Sequence, residues 1–187
     1  EGGYSGSPSS VGETGAAGVD AGAVGVNLED GAEAPELLCA KIAAAKAAAR
    51  RAGVDLFVNA RTDVVLRGLV PPERAVAETL ARAARYREAG CDGLFVPYLA
   101  DPAAIREVVA AAGLPVNLMV VPNLPPVSDL EALGVRRVSA GSSIAQTAYG
   151  VARKAAAQFL DEGRYDAMLE QRADYREMNG FFLPPKA

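Results

Sequence analysis

The stretch AGVDLFVNARTD at residues 52–63 contains the unit on which the fold prediction rests. An Ala-rich segment ends at Ala52-Gly53, and a glycine just past a helix end supplies the left-handed conformation that closes the last turn. The next run, Leu56 to Ala60, is almost continuously apolar, which is typical of a strand covered on both faces. The polar residues 61–63 follow directly. The segment therefore predicts a helix, a strand and a polar strand end, in that order.

The same unit occurs five times along the chain. Its helix–glycine junctions are Ala21-Gly22, Ala52-Gly53, Ala89-Gly90, Ala112-Gly113 and Leu133-Gly134. Strands are predicted at residues 23–28, 56–60, 93–97, 116–121 and 135–139. Helices are predicted at 34–52, 71–89, from 101, from 128 and at 142–162, with a weaker, glycine-rich helix at 7–21. Strands that alternate with helices pair in parallel through right-handed crossovers, so the chain is predicted to be α/β.

Two parallel architectures fit this series, an open doubly wound sheet and a closed barrel. Neither G-x-G-x-x-G nor G-x-x-x-x-G-K-[ST] occurs, which disfavours the open sheet. Polar residues stand at the predicted strand ends, where barrel enzymes carry their active sites. We therefore predict a single domain over residues 1–187, a parallel (β/α)8 TIM-type barrel. Because a complete barrel takes about 250 residues, we expect its N-terminal strands to be missing from the chain as given.

The composition narrows the classes of partner and of chemistry. The chain has 187 residues, 50% of them hydrophobic, and a net charge of −4. A mildly acidic balance argues against nucleic acid, and the lack of a long apolar run argues against a membrane, so we expect a cytoplasmic protein. Cys39 and Cys91 are too few for a disulfide scaffold or a zinc site. Because the chain contains no His, Ser-His and Cys-His nucleophile pairs are excluded.

Carboxylates and an arginine are predicted to meet at the barrel mouth. Magnesium prefers oxygen ligands and keeps several waters, so Glu1 and Glu29 together with substrate oxygens would suffice to hold it. Arg61 would pair bidentately with a substrate carboxylate or a developing enolate. The same residues also fit simpler roles: the pair Glu29-Asp30 as helix caps, and Arg61 in a rim salt bridge with Asp63.

Three motifs carry a resemblance to a known superfamily. Glu1-Gly2-Gly3-Tyr4 resembles the tail of the D-x-[DE]-x-G-Y metal motif of the isocitrate lyase/phosphoenolpyruvate mutase superfamily. GVNLED at residues 25–30 is similar to its G-[IV]-x-[LI]-E-D strand, and NARTD at 59–63 to its N-A-R-T-D strand. Order and spacing agree, and the similarity continues through residues 89–97 and 135–141.

The resemblance implies a barrel enzyme that uses Mg²⁺ (or Mn²⁺), held partly through water by Glu1 and Glu29. It implies that Arg61 is the catalytic residue, binding the carboxylate of a small-molecule substrate and steadying enolate charge. Tyr4, Asn59 and Tyr98 complete the predicted substrate-binding residues. A homo-oligomer, dimer or tetramer, is also implied, with the helical tail 164–187 packed on a neighbouring subunit. The family's direct metal ligand, and strands bearing a cradling loop and a catalytic Asp, would precede Glu1, so we expect the chain as given to be inactive.

Departures from the family pattern narrow the reaction. The K-[KR]-C-G-H loop of isocitrate and methylisocitrate lyases is replaced by residues 31–39, which contain neither Lys-Cys nor His. The longer Lys- and Asn-bearing gating loop of phosphoenolpyruvate mutases is also absent there, and Pro97-Tyr98 stands where the family often has Glu or His. What remains is similar to a short-loop branch with decarboxylases and lyases of 2-keto or 2-hydroxy diacids. The alternatives are a P–C phosphonomutase or phosphonopyruvate hydrolase, and a truncated 2-keto-acid binder without catalysis.

The sequence allows two roles for several residues. Asn59 is either a ligand contact or part of a polar layer inside the barrel, and Tyr98 is either a rim aromatic or a substrate contact. Serines near the last strand fit phosphate binding at a helix N-terminus or helix capping: Ser139, Ser142 and Ser143. An amphipathic interface for another subunit is predicted for Met168, Tyr175, Met178, Phe181 and Phe182.

Overall fold

The computed structural model describes residues 2–183. The chain divides into two compact units, residues 1–139 and residues 140–187. The first unit carries all five strands of the sheet, and the second is helical. Among the described residues, no helix is long and apolar enough to cross a membrane.

The first unit is built on a five-stranded parallel sheet. Its strands are β1 (Gly25–Glu29), β2 (Phe57–Arg61), β3 (Gly93–Phe95), β4 (Val116–Met119) and β5 (Arg137–Ser139). They pair in the order β1-β2-β3-β4-β5, and every pair is parallel. All five predicted strands are present, each within or one residue beyond its predicted range. The α/β class with a parallel sheet is confirmed, and the sequential strand order is that of consecutive units of a β/α barrel.

Helices follow the strands as predicted, with one region divided differently. The helices of the first unit are α1 (Pro8–Asp20), α2 (Pro35–Arg51), α3 (Val64–Arg67), α4 (Ala75–Glu88), α5 (Pro102–Ala111) and α6 (Val127–Ala132). The helix predicted to begin at residue 71 begins instead as a short 3₁₀ turn, Pro72–Arg74, and α4 starts after it. The short helix α3 was not predicted. It ends after one turn because Gly68 takes the left-handed conformation, with φ of 58°.

Helix α1 forms although glycines weaken it, because they permit close packing on α2. Gly12 and Gly15 are buried. A Cβ atom on Gly12 would lie 3.2 Å from the carbonyl oxygen of Ala44, and one on Gly15 would lie 3.7 Å from Ala45. At Gly12 the conformational cost of glycine in a helix is thus offset by a close approach that a Cβ atom would crowd, whereas at Gly15 there is room for a Cβ atom.

The apolar core lies between the sheet and the helices that cover it. One cluster joins α1 and α2 to the first two strands, and a second joins α4, α5 and α6 to the later strands. Their largest members include Leu38, Ile42, Val58, Leu94, Ile105, Leu118 and Leu130. Because side chains alternate along a strand, the opposite face of the sheet carries the polar residues described below. Cys91, predicted to be core, is buried, and burial is the main reason that its pKa is raised to about 12.

The second unit contains helices α7 (Ser143–Glu162), α8 (Asp166–Glu170) and α9 (Tyr175–Gly180). Helix α7 matches the prediction, and the tail beyond it forms two short helices. Tyr175, Met178, Phe181 and Phe182 are exposed. Residues 184–187 of the predicted tail lie outside the described residues, and its packing on a neighbouring subunit stays a prediction.

Candidate active site

The carboxyl ends of β1, β2 and β3 bring Glu29, Arg61 and Phe95 together. Glu29 is the register partner of Arg61, and Arg61 is the register partner of Phe95. The Arg61 Nη1 atom lies 3.0 Å from the Glu29 carboxylate, and the guanidinium carbon lies 5.7 Å from the centroid of the Phe95 ring. The two residues predicted to bind metal and substrate are therefore in direct contact with each other.

Asp63 holds the other edge of the same guanidinium. Arg61 donates from Nε to Asp63 Oδ1 at 2.7 Å and from Nη2 to Asp63 Oδ2 at 3.2 Å. Arg67 donates to Oδ2 at 3.0 Å, and this hydrogen bond raises the pKa of Arg67. The Asp63 side chain is fully buried. The alternative salt bridge of Arg61 with Asp63 thus exists, and it exists together with the contact to Glu29.

Asp30 lies behind the site as a buried anchor. Its carboxylate accepts hydrogen bonds from the Thr62 hydroxyl, the Asp63 backbone N–H, Arg82 and the Tyr86 hydroxyl, at 2.6 to 2.8 Å. It does not cap helix α2, whose N-cap residue makes no side-chain capping bond. The helix-capping interpretation is therefore wrong for Asp30. Instead, Asp30 ties the end of β2 to helix α4.

Burial and hydrogen bonding fix the protonation of the groups around Asp30. Burial of Arg82 opposes its charge, but hydrogen bonds to Glu78 and Asp30 raise its pKa overall. Burial and the hydrogen bond to Asp30 raise the pKa of Tyr86. Arg82 therefore stays charged, and Tyr86 stays a hydrogen-bond donor. Sequence analysis did not identify either residue, because both lie on the apolar face of α4 and only their distant partner gives them a role.

A row of polar side chains runs beneath the site, on the face of the sheet opposite the helices. The Asn59 amide donates to Asn27 Oδ1 at 2.9 Å and to Asn117 Oδ1 at 3.1 Å. The Ser139 hydroxyl donates to Asn117 Oδ1 at 3.1 Å. Asn59 is 2% exposed. This geometry favours the polar-layer interpretation of Asn59, and its predicted substrate contact stays a prediction.

Tyr4 and Tyr98, the other predicted substrate-binding residues, lie in two different places. Both have left-handed backbone, with φ of 59° and 67°, and both are exposed. Tyr4 borders a cavity of about 100 Å³ beside α1 and β1. Tyr98 borders another of about 290 Å³ between the β2–α4 connection and the start of α5. Among the described residues, neither cavity is lined by Glu29 or Arg61, so the substrate roles of both tyrosines stay predictions.

The segment after Glu1 is fixed beside the end of β1 by a lysine that sequence analysis missed. The buried Lys41 ammonium donates to the Gly2 carbonyl oxygen at 2.6 Å. A Cβ atom on Gly2 would lie 3.7 Å from the Glu29 carbonyl oxygen. Glu1 itself, the second predicted metal ligand, lies outside the described residues. The lysine could have been found only from its contact across 39 residues of chain.

The described residues can contribute to a metal site but do not complete one. Within residues 2–183, no three His, Cys, Asp or Glu side chains are grouped so as to hold a metal ion. Glu29 supplies one hard oxygen donor at the strand end, and magnesium needs only one or two carboxylates when water and substrate fill its other positions. The donor chemistry of Glu29 therefore fits Mg²⁺, and its role as a metal ligand stays a prediction.

The serines near the last strand do not share one role. Ser139 belongs to the polar row beneath the site. Ser142 is at the N-cap position of α7, but its side chain makes no capping hydrogen bond. The capping interpretation is therefore wrong for Ser142, and its alternative phosphate role stays a prediction.

Comparison with known proteins assigns the family. A family model described as phosphoenolpyruvate phosphomutase matches residues 1–160. The chain belongs to this family. A relative, Rv1998c of Mycobacterium tuberculosis strain H37Rv, is 38% identical over 143 residues, which cover 76% of this chain and 52% of the relative. The chain thus spans about half the length of the curated relatives it matches.

Solved structures confirm the superfamily and the fold. A candidate phosphonomutase from Burkholderia cenocepacia J2315 is 44% identical, with a TM-score of 0.77 over 84% of this chain and 68% of that one. A candidate lyase/mutase from the same organism is 33% identical, with a TM-score of 0.88 over 99% of this chain and 68% of that one. Phosphonopyruvate hydrolase, in complex with oxalate and Mg²⁺, is 26% identical, with a TM-score of 0.75 over 96% of this chain and 65% of that one.

Proposed function

We propose that the protein is a Mg²⁺-dependent lyase or decarboxylase that cleaves a C–C bond of a small 2-keto or 2-hydroxy dicarboxylate through an enolate-like intermediate. The observation that carries the proposal is the contact of Arg61 with Glu29 at the ends of adjacent strands. This contact places the positively charged Arg61 side chain beside the carboxylate oxygen of Glu29. Both lie at the end of the sheet where barrel enzymes carry out their chemistry. Membership of a superfamily of lyases and mutases supports it.

Arg61 is suited to stabilise negative charge that develops on a substrate oxygen. Its guanidinium stays protonated at any physiological pH. Asp63 and Phe95 hold it in place, so little reorganisation is needed when the charge forms. Removal of one such preorganised donor typically lowers kcat by about 10² to 10³.

Glu29 is the described residue that would bind the metal, and Glu1 would be the second. The Mg²⁺ and oxalate bound together in the related phosphonopyruvate hydrolase support a cation beside a small dicarboxylate here. When bound, Mg²⁺ would supply positive charge to the keto and carboxylate oxygens of the substrate. Mn²⁺ prefers the same oxygen ligands.

The short connection after β1 favours C–C over P–C chemistry. Strand β1 ends at Glu29 and helix α2 begins at Pro35, so only residues 30–34 join them. These residues contain no Lys, Asn, His or Cys, and Asp30 is occupied by its four buried partners. The connection therefore offers no side chain of the gating type expected to enclose a phosphoryl group.

The test is turnover by the full-length protein with oxaloacetate and substituted malates. We expect release of pyruvate or CO₂ that needs Mg²⁺ and stops on addition of a chelator. Arg61→Ala should lower kcat by about 10² or more. Arg164→Ala is the matched control, since it removes an arginine from an exposed ion pair with Asp166. Turnover without a metal, or equal rates in the two variants, would reject the proposal.

A second candidate is P–C chemistry, which the 44% identity with a candidate phosphonomutase favours. Phosphorus NMR of phosphonopyruvate incubated with the protein separates the two candidates. Loss of the phosphonate signal, without turnover of any malate or oxaloacetate, would replace the C–C proposal. Binding of oxalate without turnover of any of these compounds would indicate a binder that has lost catalysis.

We further propose that the chain forms a homo-oligomer through its tail, residues 164–187. The exposed aromatic and sulfur-containing side chains of α9 and the residues after it support a protein contact. Sedimentation equilibrium of the protein and of a Phe181→Ser/Phe182→Ser variant tests this. A lower mass for the variant is expected, and a monomeric wild type would contradict it.

A further inference from the structure

Asp63 carries a fully buried carboxylate in direct contact with Arg61. We propose that Asp63 is a positioning residue: it holds the Arg61 guanidinium at the strand end in the orientation in which it would meet the substrate carboxylate. The inference rests on the proposed function and deepens it.

Asp63 holds the Arg61 guanidinium in one orientation. Its two hydrogen bonds, at 2.7 and 3.2 Å, occupy the Nε and Nη2 edge of the guanidinium. The Nη1 end is thereby turned toward Glu29, at 3.0 Å. A planar guanidinium that donates two parallel hydrogen bonds from one edge has little freedom to rotate. The position of Asp63 therefore decides which end of Arg61 faces the site.

Asp63 is itself fixed by contacts that do not involve Arg61. Its backbone N–H donates to Asp30 Oδ1 at 2.8 Å, and the hydroxyl of its neighbour Thr62 donates to Asp30 Oδ2. Asp30 is in turn held by Arg82 and Tyr86 on helix α4. Asp63 thus connects the buried Asp30 network to the Arg61 side chain at the rim and restricts its movement.

Asp63 also compensates the charge of Arg61. Arg61 contacts two carboxylates, one fully buried on Asp63 and one partly exposed on Glu29. If Glu29 binds a cation, Asp63 remains the partner that keeps the Arg61 charge compensated and in place. Without Asp63, Arg61 would depend more on Glu29 for compensation of its charge, and a cation bound by Glu29 would weaken that contact.

The test is a double-mutant cycle on oxalate affinity, measured by calorimetry on the full-length protein with Mg²⁺. Asp63→Asn keeps the shape of the side chain and removes its charge. We expect it to weaken oxalate binding roughly tenfold, within the coupling range of residues in contact. In an Arg61→Met background, Asp63→Asn should cause no further loss. An equal loss in both backgrounds would show that Asp63 acts on the structure rather than through Arg61, and would overturn the proposal.

Two further variants keep the test decisive. Arg67→Met removes the other partner of Asp63 and should leave oxalate affinity within about twofold of wild type, the change typical of a surface substitution. If Asp63→Asn does not fold, Asp63→Glu keeps the charge but moves the carboxylate, and it should weaken oxalate binding in a folded protein. Unchanged affinity in Asp63→Glu would overturn the proposal. A wild-type protein that does not bind oxalate overturns the proposed function as well, whereas additive losses in a protein that binds it reject only the role of Asp63.

Discussion

Each end of the parallel sheet carries an ionic cluster around a buried side chain, but the two clusters are built differently. At the carboxyl end, the cluster reaches the rim in Arg61 and Glu29, whose side chains are 24% and 16% exposed. At the amino end, the Lys46 ammonium donates to Asp55 at 3.2 Å, to the Leu56 carbonyl oxygen at 2.9 Å and to Asp92 at 2.9 Å. Asp92 also accepts from the Val58 backbone N–H.

The difference fits the proposal that the cluster at the amino end stabilises the fold and that the cluster at the carboxyl end binds a ligand. An ammonium has three N–H groups, and Lys46 directs them at three acceptors of the protein itself. The Arg61 guanidinium has five N–H groups. Its contacts with Asp63 and Glu29 leave part of it at the partly exposed rim of the sheet. This division matches the division of β/α barrels into a stabilising amino end and a catalytic carboxyl end.

Asp30→Asn should cause the largest loss of stability. The substitution removes the charge that compensates buried Arg82 and disrupts four hydrogen bonds. Breaking a buried ion pair by removing one partner typically costs about 3–5 kcal/mol. Urea unfolding followed by circular dichroism measures it, with the exposed Asp129→Asn as control. A loss equal to that of the control would show that Asp30 is not the anchor of this end.

Lys46→Met should lower the free energy of unfolding by about 2–3 kcal/mol. This is at or below the lower limit for a buried ion pair, because Asp92 is one-third exposed and water screens the interaction. Oxalate affinity should not change, since Lys46 lies at the opposite end of the strands from Arg61. The same unfolding experiment and calorimetry measure both quantities, with the exposed Lys154→Met as control. Weaker oxalate binding in Lys46→Met would break the division between the two ends.

Tyr86→Phe should lower the free energy of unfolding by about 1.5 kcal/mol, the lower limit for a hydrogen bond to a charged group. The effect is small because Asp30 keeps the other three of the four donors described above. Chemical unfolding measures the change, and Tyr165→Phe on an exposed side chain is the matched control. If Tyr86→Phe proves as costly as Asp30→Asn, the hydroxyl rather than the carboxylate is the centre of the network.

The smallest effect should be a loss of stability at alkaline pH to which both ends contribute. Burial lowers the pKa of Lys46, but its hydrogen bonds to Asp92 and Asp55 raise the pKa overall. Burial and Asp30 raise the pKa of Tyr86. In both cases the folded state holds its proton more tightly, so the stabilisation is complete below the ordinary pKa values of 10.5 and 10.0 and is lost as pH rises through the folded values.

Unfolding free energies measured from pH 9 to pH 11 test this effect. The wild type should lose stability over this interval, and Lys46→Met and Tyr86→Phe should each show a flatter curve. Parallel curves for wild type and both variants would show that other groups produce the alkaline loss.

Much of the fold could be predicted because its signals are local. The glycine at each helix end and the short apolar run after it locate all five strands. Local patterns failed after β2. No element was predicted where the short helix α3 lies, and the 3₁₀ turn before α4 lies where the first turn of a helix was predicted.

The sequence by itself determined the parallel α/β sheet and the presence of Glu29 and Arg61 at the ends of neighbouring strands, because both follow from periodicity and strand order. Only the tertiary structure showed that Asp30 is an anchor rather than a helix cap and that Asn59 lies within a polar row. Only it placed Lys41, Arg82 and Tyr86 in their roles. The hydrogen bonds that define these roles join residues 32 to 58 positions apart along the chain. A polar residue on an apolar helix face acquires a function only from the group that folding brings to it.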